Sequence, residues 1–264
     1  MGTSHLIEGT VLVTGASRGQ GAAEAQAFVA AGAHVLIADV LEEEGSQLAD
    51  ALGERARFVR LDVRSPAAWE AAVDVPHSWP PLRVLVNNAG VHHALPIEFE
   101  TAESAMGLWE VNLLGPLLGI KHVTPKLRDA GGGSIINVAS AAALIGLAFH
   151  GAYGASKWGL RGLSRTAAIE LGRDRIRVNC IFPGPFDTPM ARGANDGALP
   201  DFSHIPLGRV GHADEVTGAV LFLASDASGF VTGAEFAVDG GLTAGPAPRA
   251  DQPRMWDRSD SPPP

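Results

Sequence analysis

The sequence has few of the residues that crosslink a chain or expose reactive sulfur. Its 264 residues include one cysteine, Cys180, so no disulfide can form within the chain. Such scarcity is typical of proteins of the reducing cytoplasm. The apolar neighbours of Cys180 favour a buried core thiol over a catalytic one.

Basic residues are also scarce: 20 Lys and Arg face 29 Asp and Glu, for a net charge of -9. That balance argues against nucleic acid and anionic membranes as partners and leaves a small molecule. No basic segment followed by an apolar run opens the chain, so no signal peptide is predicted and a cytoplasmic location is expected. The longest apolar run, Ala141 to Phe149, is too short to span a bilayer. No Cys/His cluster has metal-ligand spacing, so no metal is expected.

Short apolar runs alternate with longer helical patterns along the chain. The runs are continuously apolar, which indicates strands buried on both faces of a parallel sheet. The pattern predicts an α/β fold: a single-domain, doubly wound (Rossmann-type) parallel sheet of about seven strands with helices on both faces. The predicted strands are 10–13, 34–38, 57–61, 83–86, 134–138, 176–181 and 235–238.

No linker divides the chain before its last segment. Residues 1–243 are predicted to form one dinucleotide-binding catalytic domain, with a Gly- and Pro-containing substrate lid at about 187–207. Residues 244–264 are rich in Pro, Asp and Arg and are predicted to be a largely disordered tail.

A glycine-rich turn follows the first predicted strand. Glycines there let the backbone approach a phosphate, and the next helix offers free N–H groups and its positive end. No Gly-Lys-Ser/Thr follows, which excludes a P-loop, and the strand–turn–helix context favours dinucleotide binding. The predicted cofactor residues of this turn are Gly15, Ser17, Arg18, Gly19, Gln20 and Gly21.

Asp39 ends the second predicted strand. A carboxylate there can accept both ribose hydroxyls of an adenosine and would repel a 2′-phosphate, which favours NAD over NADP. Arg18 favours the opposite, because a guanidinium can pair with that phosphate. The acidic run Glu42 to Glu44 tips the balance to NAD. The alternative is a solvated strand-end acid with no ligand.

Two further strand ends carry polar or small residues. Asp62 and Val63 follow the third strand, and Asn88, Ala89 and Gly90 follow the fourth. The carboxyl ends of parallel strands share one edge of the sheet, where ligands bind in such folds.

Tyr153 and Lys157 lie four residues apart in a predicted helix that runs to about Leu171, so they share one face. An ammonium beside the phenol would lower its pKa from about 10 and fit it for general acid–base chemistry. Tyr153 is the single tyrosine and Lys157 one of three lysines, so chance pairing is about one in ninety. The alternative is an ordinary surface pair.

Two hydroxyl or amide groups complete the candidate chemistry. Ser140 closes the fifth strand and could donate to a substrate oxygen, although serine often merely ends a strand. Asn112 interrupts an apolar helix, so its buried amide must be hydrogen-bonded, either as a structural pin or in a proton relay.

Together these motifs resemble the short-chain dehydrogenase/reductase family from about Gly9 to Thr243. The resemblance implies a catalytic tetrad of Asn112, Ser140, Tyr153 and Lys157, with Lys157 also holding the nicotinamide ribose. It implies homotetramers formed through helices near 105–128 and 153–171. It also places Asp62 and Val63 at the adenine, and Pro183, Gly184, Phe186 and Thr188 at the carboxamide end of the cofactor.

Segments 130–135, 153–164 and 231–241 resemble the bacterial hydroxysteroid dehydrogenases of that family. They predict an NAD(H)-dependent enzyme that interconverts a secondary alcohol and a ketone on a hydrophobic substrate such as a hydroxysteroid. One alternative is an NADPH-dependent 3-oxoacyl-thioester reductase, disfavoured by Asp39 and by the acidic surface. Another is a non-catalytic dinucleotide sensor, which need not keep the tetrad.

One residue departs from the family pattern. Gln20 replaces the usual aliphatic residue and resembles the mycofactocin-coupled members, which hold NAD without releasing it. Those members have an insertion between the second and third strands, for which the 22 residues between Asp39 and Asp62 leave no room. Freely exchanging NAD is therefore expected.

The substrate pocket is predicted from apolar and aromatic residues near the tetrad. Such side chains suit a hydrophobic alcohol better than a sugar, although several could simply pack the lid. The predicted set is Leu144, Ile145, His150, Met190 and Phe202, with His92 and His93 as candidates for its border.

Overall fold

A computed structural model describes residues 7–193, 202 and 205–245. The predicted lid therefore lies partly outside the described residues, at 194–201, 203 and 204. The predicted tail lies outside them from residue 246 onward.

The main sheet has seven strands, all parallel, in the order β3-β2-β1-β4-β5-β6-β9. This confirms the predicted single-domain, doubly wound α/β fold. A small two-stranded parallel sheet joins β7 to β8. The strands are β1 Thr10–Thr14, β2 His34–Asp39, β3 Ala56–Arg60, β4 Leu82–Asn87, β5 Gly133–Val138, β6 Ile176–Pro183, β7 Phe186–Asp187, β8 Gly211–His212 and β9 Glu235–Val238.

Helices connect the strands. The predicted helix near 105–128 consists of two helices separated by a π-helical turn, Glu110–Leu114. The α-helices are α1 Gly19–Ala30, α2 Glu42–Leu52, α3 Pro66–Ala72, α4 Ala102–Trp109, α5 Gly115–Asp129, α6 Gly151–Leu171, α7 Pro189–Gly193 and α8 Thr217–Ala224.

The sheet separates two hydrophobic cores because successive side chains of a strand point to opposite faces. Val11 and Val13 of β1 belong to the core that contains Phe28 of α1. Leu12 belongs to the other core, with Trp69 of α3. Full burial of an apolar side chain of this size stabilises the fold by about 1.5–3 kcal/mol, so both faces hold the helices firmly.

The winding of the sheet reverses between β1 and β4. From β1 the chain builds outward to β2 and β3, and it then returns to place β4 on the other side of β1. The loops after β1 and β4 consequently diverge at the carboxyl edge, where ligands bind in open α/β sheets.

Candidate active site

One cavity of about 930 Å³ lies along the carboxyl edge of the sheet. It brings together nearly all of the predicted site residues. Among the predicted catalytic and cofactor residues, two, Ser17 and Asn112, do not line it. Those that do are Gly15, Arg18, Gly19, Gln20, Gly21, Asp39, Asp62, Val63, Asn88, Ala89, Gly90, Ser140, Tyr153, Lys157, Pro183, Gly184, Phe186 and Thr188.

The glycine positions of the glycine-rich turn leave no room or no suitable backbone conformation for a side chain. Gly15 and Gly19 have φ of 64° and 59°, a conformation that L side chains rarely adopt. A Cβ on Gly21 would meet the Gly15 carbonyl oxygen and lie 2.5 Å from Nδ2 of Asn88. Helix α1 begins at Gly19, and its first three residues line the cavity, so its amino end faces the cavity.

Asn88 ties this turn to the fourth strand. Its Nδ2 donates to the carbonyl oxygens of Thr14 and Gly15, at 2.9 and 3.1 Å. The Thr14 hydroxyl accepts from the backbone N–H of Asn88 and Ala89. The predicted residue Asn88 therefore shapes the turn with its side chain while its surface borders the cavity.

The Asp39 side chain is held in a fixed, buried position, with only 8% of the residue's surface exposed. Its Oδ2 accepts from the backbone N–H of Ser17 at 2.9 Å. Its Oδ1 accepts from the backbone N–H of Val40 and Leu41 at 2.7 and 3.1 Å. These bonds hold a carboxylate at the cavity wall, which argues against a merely solvated strand-end acid. Ser17 itself does not line the cavity, and its hydroxyl donates to the Leu41 carbonyl at 3.0 Å.

Asp62 has a partner that the sequence reasoning missed. The guanidinium of Arg64 donates to both carboxylate oxygens, with Nε–Oδ1 at 2.9 Å and Nη2–Oδ2 at 2.7 Å. This bidentate pair lowers the pKa of Asp62. Both side chains line the cavity. An Asp-x-Arg spacing after a strand was the available signal.

Tyr153 and Lys157 occupy the same face of α6, as their spacing predicts. The Lys157 Nζ lies 5.8 Å from the Tyr153 ring centroid and donates to the Val138 carbonyl at 3.0 Å. Burial lowers the pKa of Lys157 to about 8. The lysine is thus fixed between the fifth strand and the tyrosine.

Burial raises the pKa of Tyr153, and the neighbouring Ser140 hydroxyl partly opposes that rise. The pKa of Tyr153 is thus not lowered below its usual value as expected from Lys157, whose ammonium donates to the Val138 carbonyl and not to the phenol oxygen. Tyr153 is therefore a protonated phenol at neutral pH, which is the form that can donate a proton.

Asn112 is fully buried in the π-helical turn. Its Oδ1 accepts from the Val91 N–H and its Nδ2 donates to the Val91 carbonyl, both at 2.9 Å. Its Nδ2 also lies 3.2 Å from the Ser156 hydroxyl. The amide therefore acts as the structural pin, holding the segment after β4 against α6. Such turns interrupt helices at functional positions.

The segment after β6 passes over the cavity. A Cβ on Gly184 would lie 2.7 Å from the Asp239 Cα, so only glycine fits beside β9. Phe186 is buried in the small sheet. The Thr188 hydroxyl accepts from the Ala191 N–H and begins α7. The predicted residues Pro183, Gly184, Phe186 and Thr188 thus border the cavity from fixed positions.

The predicted pocket set needs correction. His150, Met190 and Phe202 line the cavity, but Leu144 and Ile145 do not, and Leu147 and Ala148 take their place. Leu144 instead packs against the small core that contains Ala143 and Phe182. The short 3-10 turn after Ser140 folds Leu144 inward.

Only one of the two candidate histidines after β4 reaches the cavity. His92 lines the cavity, whereas His93 does not and pairs through Nε2 with Glu100 at 3.0 Å. The His92 ring lies edge-on to Tyr153, with centroids 4.8 Å apart, and 5.0 Å from the His150 ring.

The described part of the chain has neither a group of metal-ligating side chains nor a membrane-spanning helix. Across 7–193, 202 and 205–245, no three His, Cys, Asp or Glu side chains are grouped as metal ligands. No helix in the same ranges is long and apolar enough to cross a membrane.

Comparison with known proteins identifies the class. The model of the family described as enoyl-(acyl carrier protein) reductase matches residues 15–243. The chain belongs to the short-chain dehydrogenase/reductase family, as its motifs predicted. It is an oxidoreductase that acts on CH–OH groups and interconverts an alcohol and a ketone with a nicotinamide dinucleotide.

Its similar relatives are dehydrogenases of several alcohols. The chain is 45% identical to 3-alpha-(or 20-beta)-hydroxysteroid dehydrogenase of Mycobacterium bovis, over 92% of both chains. It is 42% identical to trans-4-hydroxycyclohexanecarboxylate dehydrogenase of Sinomonas cyclohexanicum, over 94% of this chain and 98% of the relative. It is 39% identical to D-threitol dehydrogenase of Mycolicibacterium smegmatis, over 88% and 92%.

Proposed function

We propose that this protein is an NAD(H)-dependent dehydrogenase of a secondary alcohol carried on a hydrophobic ring, with hydroxysteroids as the first candidates. The observation that carries the cofactor choice is Asp39, whose carboxylate is held at the cavity wall by three backbone N–H groups. The acidic first turn of α2, Glu42 to Glu44, follows it. A 2′-phosphate would meet this negative charge.

The residues of the cavity fit a dinucleotide. The close packing of Gly21 on Gly15 leaves a turn that only backbone can form, next to the amino end of α1, where a pyrophosphate is bound in such folds. Asp39 would hold the adenosine ribose, Asp62 and Val63 the adenine, and Lys157 the nicotinamide ribose. Pro183, Gly184, Phe186 and Thr188 would border the nicotinamide. When bound, the nicotinamide supplies or accepts the hydride.

The proton chemistry belongs to Tyr153. In ketone reduction its phenol donates a proton to the carbonyl oxygen, and in alcohol oxidation its phenolate takes the hydroxyl proton. Ser140 donates to the same oxygen as negative charge builds on it. The Lys157 ammonium bonds to Val138, and its charge, 5.8 Å from the Tyr153 ring centroid, would stabilise the phenolate without a direct hydrogen bond. Asn112 holds the Val91 backbone that borders the site.

The ring preference rests on the cavity wall. Leu147, Met190 and Phe202 give the substrate end an apolar surface. The steroid and cyclohexane substrates named for two of the relatives are ring alcohols. The rival 3-oxoacyl-thioester reductase is disfavoured by Asp39 and by the net charge of -9, because an acyl carrier protein is itself acidic.

A spectrophotometric screen tests this proposal. Hydroxysteroids, cyclohexanols, polyols and 3-oxoacyl thioesters would each be tried with both nicotinamide dinucleotides. We expect ring alcohols to react and NAD to be preferred at least about tenfold in kcat/KM. Asp39→Ala should lower that preference about tenfold or more, since it removes the ribose acceptor and the repelling charge. An NADP preference in the unaltered enzyme would contradict the cofactor proposal.

Assembly and location are further parts of the proposal. Large apolar side chains are exposed on α4, α5 and α6, among them Met106, Leu117, Trp158 and Ile169. They support a homotetramer formed through these helices, which light scattering would test. Burial raises the pKa of Cys180 to about 12, and one inert thiol suits the cytoplasm.

A further inference from the structure

Two imidazoles stand beside the reacting tyrosine, and the proton chemistry does not use them. His92 and His150 both line the cavity, with ring centroids 5.0 Å apart. Their centroids lie 4.8 and 6.1 Å from that of Tyr153. A substrate whose reacting oxygen reaches Tyr153 therefore brings its neighbouring carbons against both rings.

His150 offers an acceptor. Its Nδ1 lies 2.6 Å from the Ala148 carbonyl oxygen. A carbonyl can only accept, so Nδ1 carries the hydrogen, and in the neutral ring Nε2 keeps a free lone pair. In the described part of the chain, no hydrogen bond ends on that Nε2.

His92 offers a donor and a second acceptor. No hydrogen bond to its ring occurs among residues 7–193, 202 and 205–245. Burial, reinforced by electrostatic interactions with the neighbouring His150, His93 and Lys157, lowers the pKa of His92 to about 4. The ring is consequently neutral at physiological pH, with one N–H and one lone pair available to a ligand.

The position of His150 is fixed at some conformational cost. The preceding residue, Phe149, adopts φ of 66°, which is unusual for a bulky side chain. The Phe149 carbonyl accepts from the Leu95 N–H at 2.7 Å, and Leu95 and His150 form a parallel bridge. Such an unfavourable backbone persists where the surroundings hold it, and it often marks a ligand site.

We infer that His92 and His150 recognise a second hydroxyl group of the substrate, so that the preferred substrate is a ring diol. A hydroxyl both donates and accepts, which matches the His150 lone pair and the His92 N–H. Two rings 5.0 Å apart can share one oxygen at about 2.9 Å from a nitrogen of each. A carboxylate only accepts, so it would leave the His150 lone pair facing negative charge.

This inference rests on the proposed function and names the substrate class within it. The test compares kcat/KM for cyclohexanol with kcat/KM for 1,2-, 1,3- and 1,4-cyclohexanediol, using NAD. The variants are His92→Phe, which keeps an aromatic ring beside Tyr153, and His150→Phe. His150→Gln is the conservative variant, because its Oε1 can accept. His93→Phe is the matched control, since His93 pairs with Glu100 and lies off the cavity wall.

We expect the unaltered enzyme to prefer at least one diol about tenfold over cyclohexanol, as one or two substrate hydrogen bonds allow. His92→Phe and His150→Phe should each bring that ratio toward one, mainly through the KM of the diol. His150→Gln should retain part of the preference, and His93→Phe should keep all of it. A merely structural role would slow both substrates alike and leave the ratio unchanged.

The failures are distinguishable. If ring alcohols react but the ratio is near one, or survives both phenylalanine variants, the diol inference is overturned while the proposed function stands. If 4-hydroxycyclohexanecarboxylate is preferred and the same variants abolish that preference, the imidazoles bind a carboxylate and the hydroxyl assignment is wrong. If no ring alcohol reacts with either dinucleotide, the proposed function fails and the inference with it.

Discussion

The two ends of the cavity differ in how much of their surface is formed by backbone and how much by side chains. At the cofactor end, the turn next to α1 is formed by backbone, with no space for a Cβ on Gly21 beside Gly15, and backbone N–H groups hold the Asp39 carboxylate in place. At the substrate end, side chains such as His92 and Met190 form the wall. A backbone surface recognises what every member of the family binds, whereas a side-chain surface can change without disturbing the fold. The difference separates cofactor binding from substrate choice.

The largest effect on kcat/KM is expected from changing Tyr153, which lies between the cofactor end and the substrate end. Tyr153→Phe removes the proton donor but keeps the ring against His92. We expect kcat/KM to fall about 10²–10⁴-fold, the usual contribution of general acid–base catalysis. NADH affinity, measured by fluorescence titration, should stay within about twofold of the unaltered value. Retention of full activity would refute the assigned role of Tyr153.

A smaller effect is expected from disturbing the backbone surface alone. Gly21→Ala places a Cβ against the Gly15 carbonyl and Nδ2 of Asn88, neither of which can move freely. The dissociation constant for NADH should rise about tenfold or more, and overpacking should cost about 1–3 kcal/mol of stability. The control is Gly218→Ala in α8, where the added Cβ meets nothing within 4 Å.

Calorimetric titration with NADH distinguishes the two glycine variants. An unchanged dissociation constant in Gly21→Ala would show that this turn tolerates side chains. The proposed division between a backbone end and a side-chain end would then be wrong.

The smallest effect is expected from a buried carboxyl group on α1, at the cofactor end, and it concerns stability and not catalysis. Glu24 on α1 is fully buried, accepts from Gln20 Nε2 at 3.1 Å, and has no partner for Oε2 among the described residues. Burial raises its pKa from 4.5 to about 8. Between these values the folded protein keeps a proton that the unfolded chain releases, so the free energy of unfolding falls as pH rises from 4.5 to 8.

Glu24→Gln removes this dependence while keeping the acceptor for Gln20. Relative to the unaltered protein, its free energy of unfolding should match near pH 4.5 and rise by up to about 1.4 kcal/mol per pH unit towards pH 8. Urea unfolding at several pH values measures this, with the exposed Glu170→Gln as the control. A constant difference across pH would mean that Glu24 is ionised in the folded protein.

The features that could be predicted from the sequence are those set by local sequence patterns. The seven strands and the residues at their carboxyl ends were predictable, because parallel strands need continuous apolar runs and the turn after β1 needs glycine. The partnership of Asp62 with Arg64, the burial of Glu24 and the pin from Asn112 to Val91 depend on tertiary packing. Leu144 and Leu147 are both apolar, and only the turn after Ser140 decides which one reaches the cavity.

The π-helical turn at Glu110–Leu114 has a consequence for insertions and deletions in this chain. Losing one residue there would restore an ordinary helix and rotate α4 against α5 by about 100°. Leu108, which packs near Tyr153, would then swing away from α6, and the Asn112 amide would lose Val91. This stretch of helix must therefore keep its residue count for the cavity to keep its shape.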